Sequence, residues 1–87
     1  MHEASLIRDL MQKVSSLAEA ENASRVSGIC IWLGALSHMS AEHFREHFLH
    51  ASRGTIAEGA SLEIVESADP SDPNAQDLLL RSIEVET

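Results

Sequence analysis

The first residues of the chain are of types that can bind a metal ion. A free α-amino group on Met1, followed by His2, offers an amine, an amide and an imidazole nitrogen to one ion. The amide nitrogen of Glu3 can add a fourth donor in the same plane. A planar set of four nitrogens suits nickel(II) or copper(II), whereas zinc prefers a tetrahedron. Met1, His2 and Glu3 are therefore the predicted metal ligands, although an idle chain terminus would also fit these residues.

A second group of possible ligands lies in the middle of the chain. His43, His47 and His50 recur at helical spacing, so that they share one helix face and could hold a metal ion. We favour a different interpretation, in which they form the solvated flank of an amphipathic helix. His38, just before this helix, could add a remote ligand but is also predicted to be solvated.

The sequence offers no argument for catalysis. Cys30 is the one cysteine of the chain, and a lone cysteine in a strand is predicted to be a packing residue. No P-loop, no glycine-rich dinucleotide motif and no nucleophile–base motif occurs. The run His43–His47 does not match HExxH, because Phe44 follows the first histidine. We therefore predict that the protein is not an enzyme.

The apolar pattern predicts five elements that must position these residues. It predicts helices over residues 4–21 and about 41–52, and strands over residues 26–33, 61–67 and about 78–86. Two Asp-Pro steps predict a loop over residues 68–76. The order α-β-α-β-β predicts an α+β fold, a two-layer sandwich with two helices packed on one face of a three-stranded sheet. The whole of residues 1–87 is predicted to be a single domain.

The predicted helices each have an apolar stripe that would face the sheet. In the first helix, the stripe consists of Leu6, Ile7, Leu10, Met11, Val14, Leu17 and Ala18. In the second, it consists of Ala41, Phe44, Phe48 and Ala51. Since such stripes need apolar partners, the two helices are predicted to cover one side of the sheet.

The opposite side of the predicted sheet also carries apolar residues. Cys30, Trp32, Val65 and Leu79 fall on this outer face, whereas an uncovered sheet face is normally polar. An exposed patch that contains the one tryptophan suggests contact with another molecule. Our hypothesis is that a second copy or a partner covers this face, and the alternative is that the loop 68–76 folds over it.

The charge and the apolar runs of the sequence exclude some classes of partner. The formal net charge of −8 would be repelled by phosphate backbones, so nucleic acid is not an expected partner. The longest apolar run, from Ile29 to Leu33, is too short to cross a membrane. No secretory signal is visible, and we expect a cytoplasmic protein.

Motifs spread along the chain resemble those of the HypA/HybF family of nickel metallochaperones. The opening MHEASL is similar to the family's MHE-x-[SA]-L, and Leu33–Ser37 is similar to its strand-end IG-x-LS. The segment from Thr55 to Ile64 is similar to T-x-AEG-x-x-L-x-I, and Arg81–Glu86 is similar to KSIEVE. The resemblance implies two helices on a three-stranded sheet and a nickel(II) ion at Met1, His2 and Glu3. It also implies partners, which are a nickel-loading maturation GTPase and the large subunit of [NiFe]-hydrogenase, or urease in some organisms.

One part of the family pattern is absent from this sequence. Family members carry a zinc lobe with two CxxC pairs between the last two strands, but this chain has a single cysteine. We therefore expect no zinc site, and the loop 66–77 stands where the zinc lobe would be inserted. The leading prediction is a nickel metallochaperone for a hydrogenase. The alternative is an adaptor without metal traffic, which keeps the fold for docking or dimerisation.

Overall fold

The computed structural model describes residues 3–87, and the side chains from Ser5 onward. Its elements are α1 (Glu3–Ala20), β1 (Arg25–Leu33), α2 (Ala41–Ser52), β2 (Ser61–Glu66) and β3 (Leu78–Glu86). The predicted α+β fold and element order are confirmed, with ends that differ by one or two residues. No helix in the described range has the length and apolar character needed to cross a membrane.

The strands form one mixed sheet in the order β2-β1-β3. β1 lies in the centre, parallel to β2 and antiparallel to β3. The parallel pair requires a crossover from one end of the sheet to the other, and α2 provides it. The strand order was not predicted, because alternation along a strand shows which residues share a face but not which strands are neighbours.

The core lies between the helices and the inner face of the sheet. Its fully buried residues include Val14 from α1, Val26, Ile31 and Leu33 from β1, and Phe44 from α2. The rings of Phe44 and Phe48 stack with their centroids 6.4 Å apart. Apolar burial of this kind is the main term that stabilises a domain of this size.

Two residues of the predicted helix stripes, Leu17 and Ala51, are exposed. Leu17 is 47% exposed, because only one edge of the wide stripe on α1 meets the sheet. In α2, Ala51 is exposed and Ser52 is buried in its place, while Ala41 is only partly buried. Ser52 lies four residues after Phe48 and so continues the inner face, and its hydroxyl donates to the Leu49 carbonyl at 3.3 Å.

A β-bulge in β3 reverses the alternation of its side chains. Ser82 pairs with Cys30 and Leu80 pairs with Ile31, so that Arg81 has no partner on β1. Four residues of β3 therefore pack against the core even though their spacing is irregular: Leu78, Leu80, Ile83 and Val85. A strictly alternating strand would have turned half of these residues to the outer face.

The connection from β2 to β3 packs against the segment that follows β1. The backbone nitrogen of Gly34 donates to the Asp77 carbonyl at 2.9 Å, and that of Leu36 donates to the Ala75 carbonyl at 2.7 Å. Ala75 is buried, and a Cβ atom on Gly34 would lie 2.2 Å from the Ala75 carbonyl oxygen. Only glycine permits this approach, which is closer than any side chain allows. The prediction of an irregular segment over 68–76 is confirmed.

Candidate metal site and docking face

Most of the predicted nickel site falls at the edge of the described structure. Met1 and His2 lie outside the described residues. Glu3 is the first residue of α1, and only its backbone is described. The first four backbone N–H groups of an α-helix have no partner within the helix. The amide of Glu3 is one of these four groups. A metal ion can therefore replace its proton without the loss of a helical hydrogen bond.

The start of α1 lies at the end of the sheet where β1 ends and β3 begins. Leu6 and Leu10 of α1 line a groove with Asp77 and Leu78, and Leu78 pairs with Leu33, the last residue of β1. The other end of α1 leads to Ser24, which donates to the carbonyl of Glu86 at the end of β3. Residues at the amino terminus of the helix are therefore held near the segments that follow β1 and precede β3.

α2 begins at the same end of the sheet. The side-chain oxygen of Ser40 accepts a hydrogen bond from the His43 backbone nitrogen at 3.1 Å and caps the helix. Before the cap, His38 adopts a positive φ of 59°. His38 is exposed and not part of the core. This end of the sheet thus gathers the beginnings of both helices and two connecting segments.

The histidines of α2 are exposed, as expected for a solvated flank. His47 and His50 line a shallow groove with Ile7, Arg8 and Met11 of α1. Among the residues with described side chains, no group of three or more His, Cys, Asp or Glu could hold a metal ion. The guanidinium of Arg8 would also repel a cation bound between His47 and His50. The histidines of α2 therefore do not form a preformed set of metal ligands with the other described side chains.

Cys30 lies on the outer face of the sheet, away from the helices. Its thiol donates to a carboxylate oxygen of Glu63 at 3.4 Å. Desolvation first, and then the hydrogen bond to Glu63 and its negative charge, raise the pKa of the Cys30 thiol. Because the thiolate is the reactive and metal-binding form, this environment disfavours both chemistries.

The predicted outer apolar row runs across all three strands. Trp32 has Val65 as its partner on β2 and Leu79 as its partner on β3. Trp32 and Val65 are half-buried and Leu79 is 37% exposed. Asp72 of the β2–β3 connection reaches the rim of Trp32, where both line a cleft. The loop thus borders the row at one end and leaves the rest of it open.

Comparison with known proteins identifies the family of this chain. The family model described as hydrogenase/urease nickel incorporation, metallochaperone, HypA matches residues 1–70. The chain belongs to the HypA family. This nickel metallochaperone family is the one that the motifs predicted, and the match includes Met1, His2 and Glu3. The single Cys30 leaves this HypA-family chain without a CxxC pair, and therefore without the zinc-binding pattern of the family.

Relatives and solved structures agree with this assignment. The hydrogenase maturation factor HypA 1 of Bradyrhizobium diazoefficiens is 41% identical over 66 residues, which are 76% of this chain and 58% of the relative. HypA of Methylocella silvestris is 45% identical over 64 residues, 74% of this chain and 57% of the relative. The chain thus spans somewhat more than half the length of these relatives. The solution structure of the Ni metallochaperone HypA from Helicobacter pylori has the same fold, with a TM-score of 0.81, 17% identity and coverage of 99% of this chain and 98% of that chain.

The sequence did not indicate every residue that shapes these surfaces. Arg45 of α2 donates to the Leu62 carbonyl of β2 at 3.0 Å and ties the helix to that edge strand. Arg81 is placed by the bulge at the rim of Trp32. Neither contact has a signal in the sequence, because each depends on the packing of two distant segments.

Proposed function

We propose that this HypA-family chain is a nickel(II)-binding metallochaperone-like accessory protein that carries nickel to an enzyme under assembly, with a [NiFe]-hydrogenase as the expected recipient. The observation that carries this proposal is the family match over residues 1–70, which includes the proposed ligands Met1, His2 and Glu3. Nickel is the cargo of such a protein and not a cofactor of a reaction. The proposed partners are a nickel-loading maturation GTPase and the hydrogenase large subunit, in the cytoplasm. We propose no catalytic role.

The proposed ligands are four nitrogens. Met1 supplies its amine, His2 supplies its imidazole and its amide, and Glu3 supplies its amide. The position of Glu3 at the start of α1 supports this set, since its N–H has no acceptor within the helix. The partial positive charge at a helix amino terminus also stabilises a deprotonated amide there. Two deprotonated amides would balance the charge of the bound nickel(II).

The proposed domain organisation rests on the family resemblance of the sequence. Residues 1–87 form a single domain of the nickel-binding type, and the connection 66–77 takes the place of a zinc lobe. With only Cys30 available as a thiolate, a structural zinc site with two CxxC pairs is not part of the proposal. The proposed nickel site is the one at the amino terminus.

Nickel titration of the protein without any tag before Met1 tests the proposal. We expect one nickel(II) ion per chain at mildly alkaline pH, with the yellow absorption of square-planar nickel. The donors must lose protons, so the affinity should decrease as the pH decreases through about 8 to 6.5, the reference range of amine and imidazole pKa values. Absence of a stoichiometric ion under these conditions would contradict the carrier function.

The alternative function is an adaptor without metal traffic, and the outer row Val65–Trp32–Leu79 favours it. An open apolar row on a small soluble domain is a common feature of protein–protein contacts. The adaptor would use this row to bind the maturation GTPase or a second copy. It would bind nickel only weakly but would form a defined complex in sedimentation.

Replacing Trp32 by glutamate tests the docking face in both functions. We expect Trp32→Glu to weaken binding of the maturation GTPase by about tenfold or more, because a charge replaces a large apolar contact at the centre of the row. Nickel stoichiometry should not change, since Trp32 is not a proposed ligand. Titration calorimetry with the purified GTPase measures both quantities.

A matched control is available on the other side of the molecule. Leu49 of α2 is 60% exposed and lies outside the outer face, so Leu49→Glu makes the same chemical change elsewhere. We expect this variant to bind the GTPase like the wild type. Equal affinities for wild type and Trp32→Glu would show that the outer row is not the docking face.

A further inference from the structure

β3 forms one edge of the sheet, and no strand of the described residues pairs with its outer side. On the opposite edge strand, Arg45 occupies a backbone acceptor of β2. In the part of the chain that the structure describes, the side chains that bond to carbonyls of β3 are those of Ser24 and Ser27, which lie beside or within β1. Unpaired backbone groups on an edge strand can act as a template for pairing with another chain.

Apolar side chains flank this free edge on both sides of the sheet. Leu17 of α1 is 47% exposed and lies with Leu80 along a groove between α1 and β3. On the outer side, Leu79 is 37% exposed. A strand added at the edge of β3 would bury parts of both leucines in addition to pairing the backbone.

The bulge at Arg81 determines which kind of strand fits this edge. Leu80 and Ile83 both face the helices although they are three residues apart. A regular strand matches the faces of β3 on both sides of the bulge only by leaving Arg81 without a partner, as β1 does. A second copy of β3 in the antiparallel direction carries the same irregularity and matches on both sides.

The charges on β3 support the same arrangement. We consider the pairing that places the helix-covered faces of both sheets on the same side. Leu80 then lies opposite Ile83 of the second copy, and Arg81 lies opposite Ser82 of the second copy. Arg81 is then a diagonal neighbour of Glu84 of the second copy, within reach of two long side chains. The ion pair that occurs within the described residues joins Arg25 and Glu86, so neither Arg81 nor Glu84 has an ion-pair partner among these residues. Two-fold symmetry would repeat the pair.

We propose that two copies of this chain associate through the edges of their β3 strands, with Arg81 of each copy paired to Glu84 of the other. The two sheets become one continuous sheet, and the α1 helices of the two copies lie side by side on its inner face. This association does not depend on nickel binding, and it leaves the outer row around Trp32 open for a partner.

Sedimentation of the full chain over a range of concentrations tests the proposal. We expect a reversible monomer–dimer equilibrium. Arg81→Glu and Glu84→Arg should each weaken dimerisation by about tenfold or more, because each places like charges diagonally across the dyad. The double variant Arg81→Glu/Glu84→Arg restores opposite charges, and we expect it to dimerise like the wild type.

Two further variants distinguish this interface from a general effect of net charge and from an interface on the outer face. Arg53→Glu changes the net charge as Arg81→Glu does, but at an exposed residue after α2, and it should leave the dimer intact. Trp32→Ala should also leave it intact, since it removes the apolar side chain without placing a charge beside Arg81. A monomer at all concentrations would overturn the proposal, and so would failure of the double variant to recover. A dimer that Trp32→Ala dissolves and Arg81→Glu does not would place the interface on the outer face instead.

Discussion

Adding three residues before Met1 is expected to weaken nickel binding by about 100-fold or more, which corresponds to about 2.8 kcal/mol. The extension converts the terminal amine into an amide and moves the free amine away from the imidazole of His2. The fused rings of the proposed chelate can then no longer form around one ion. Titration calorimetry of the extended and unextended proteins at mildly alkaline pH measures the difference. The fold should be unchanged, since no buried residue is altered.

Substitutions near the chain start identify which donors matter. His2→Ala should remove binding to the same extent as the extension, because it removes the imidazole. Glu3→Gln should retain it, because the proposed donor of Glu3 is its amide and not its carboxylate. His43→Ala is the control, because it also removes a histidine, but on α2. We expect it to retain nickel binding. Undiminished nickel affinity in His2→Ala, or loss of affinity in His43→Ala, would assign the ion to other ligands.

Replacing Gly34 by alanine is expected to lower the free energy of unfolding by about 3 kcal/mol. The added Cβ would lie 2.2 Å from the Ala75 carbonyl oxygen and 2.6 Å from that of Asn74. Both atoms belong to backbone that cannot turn aside as a side chain can. The hydrogen bond from Leu36 to Ala75 would be lost when the two segments separate. Urea unfolding followed by circular dichroism measures the change.

Gly54→Ala is the control for this substitution. No atom lies within 4 Å of a Cβ on Gly54, but its φ of +74° is unfavourable for alanine. We expect a loss of about 1 kcal/mol from this backbone strain alone. If Gly34→Ala is as stable as Gly54→Ala, the backbone around Gly34 and Ala75 can move apart at little energetic cost. The close contact would then not be what holds the two segments together.

Local patterns were sufficient to predict the elements of the fold but not how they meet. The helical spacing around Val14 and the alternation of Ile29, Ile31 and Leu33 reflect burial on one side, which any sequence of this type must show. The bulge at Arg81 has no such signal, since it is set by the register between β3 and a strand about fifty residues away. The exposure of Leu17 is likewise decided by where α1 lies on the sheet.

For the candidate site, too, the sequence predicts local features but not the tertiary surroundings. The proposed ligands Met1, His2 and Glu3 are consecutive in the chain, so their chemistry can be derived without knowing the fold. What the sequence could not give is the location of Glu3, at the end of the sheet where α2 also begins. The environment of Cys30 was equally hidden, because its neighbour Glu63 comes from another strand. Motif arguments identify donors, and tertiary packing determines what surrounds them.

The central position of β1 has a consequence for how this architecture can change in evolution. Since β2 and β3 flank β1, the end of one and the beginning of the other are two strand spacings apart, or roughly 10 Å. Such a gap can be bridged by a few turns, as here, or by a separately folded module whose own ends lie close together. Loop-closure entropy rises only slowly with length, so either solution costs the sheet little. Gain or loss of a whole module at this junction is thus compatible with an unaltered helix–sheet core.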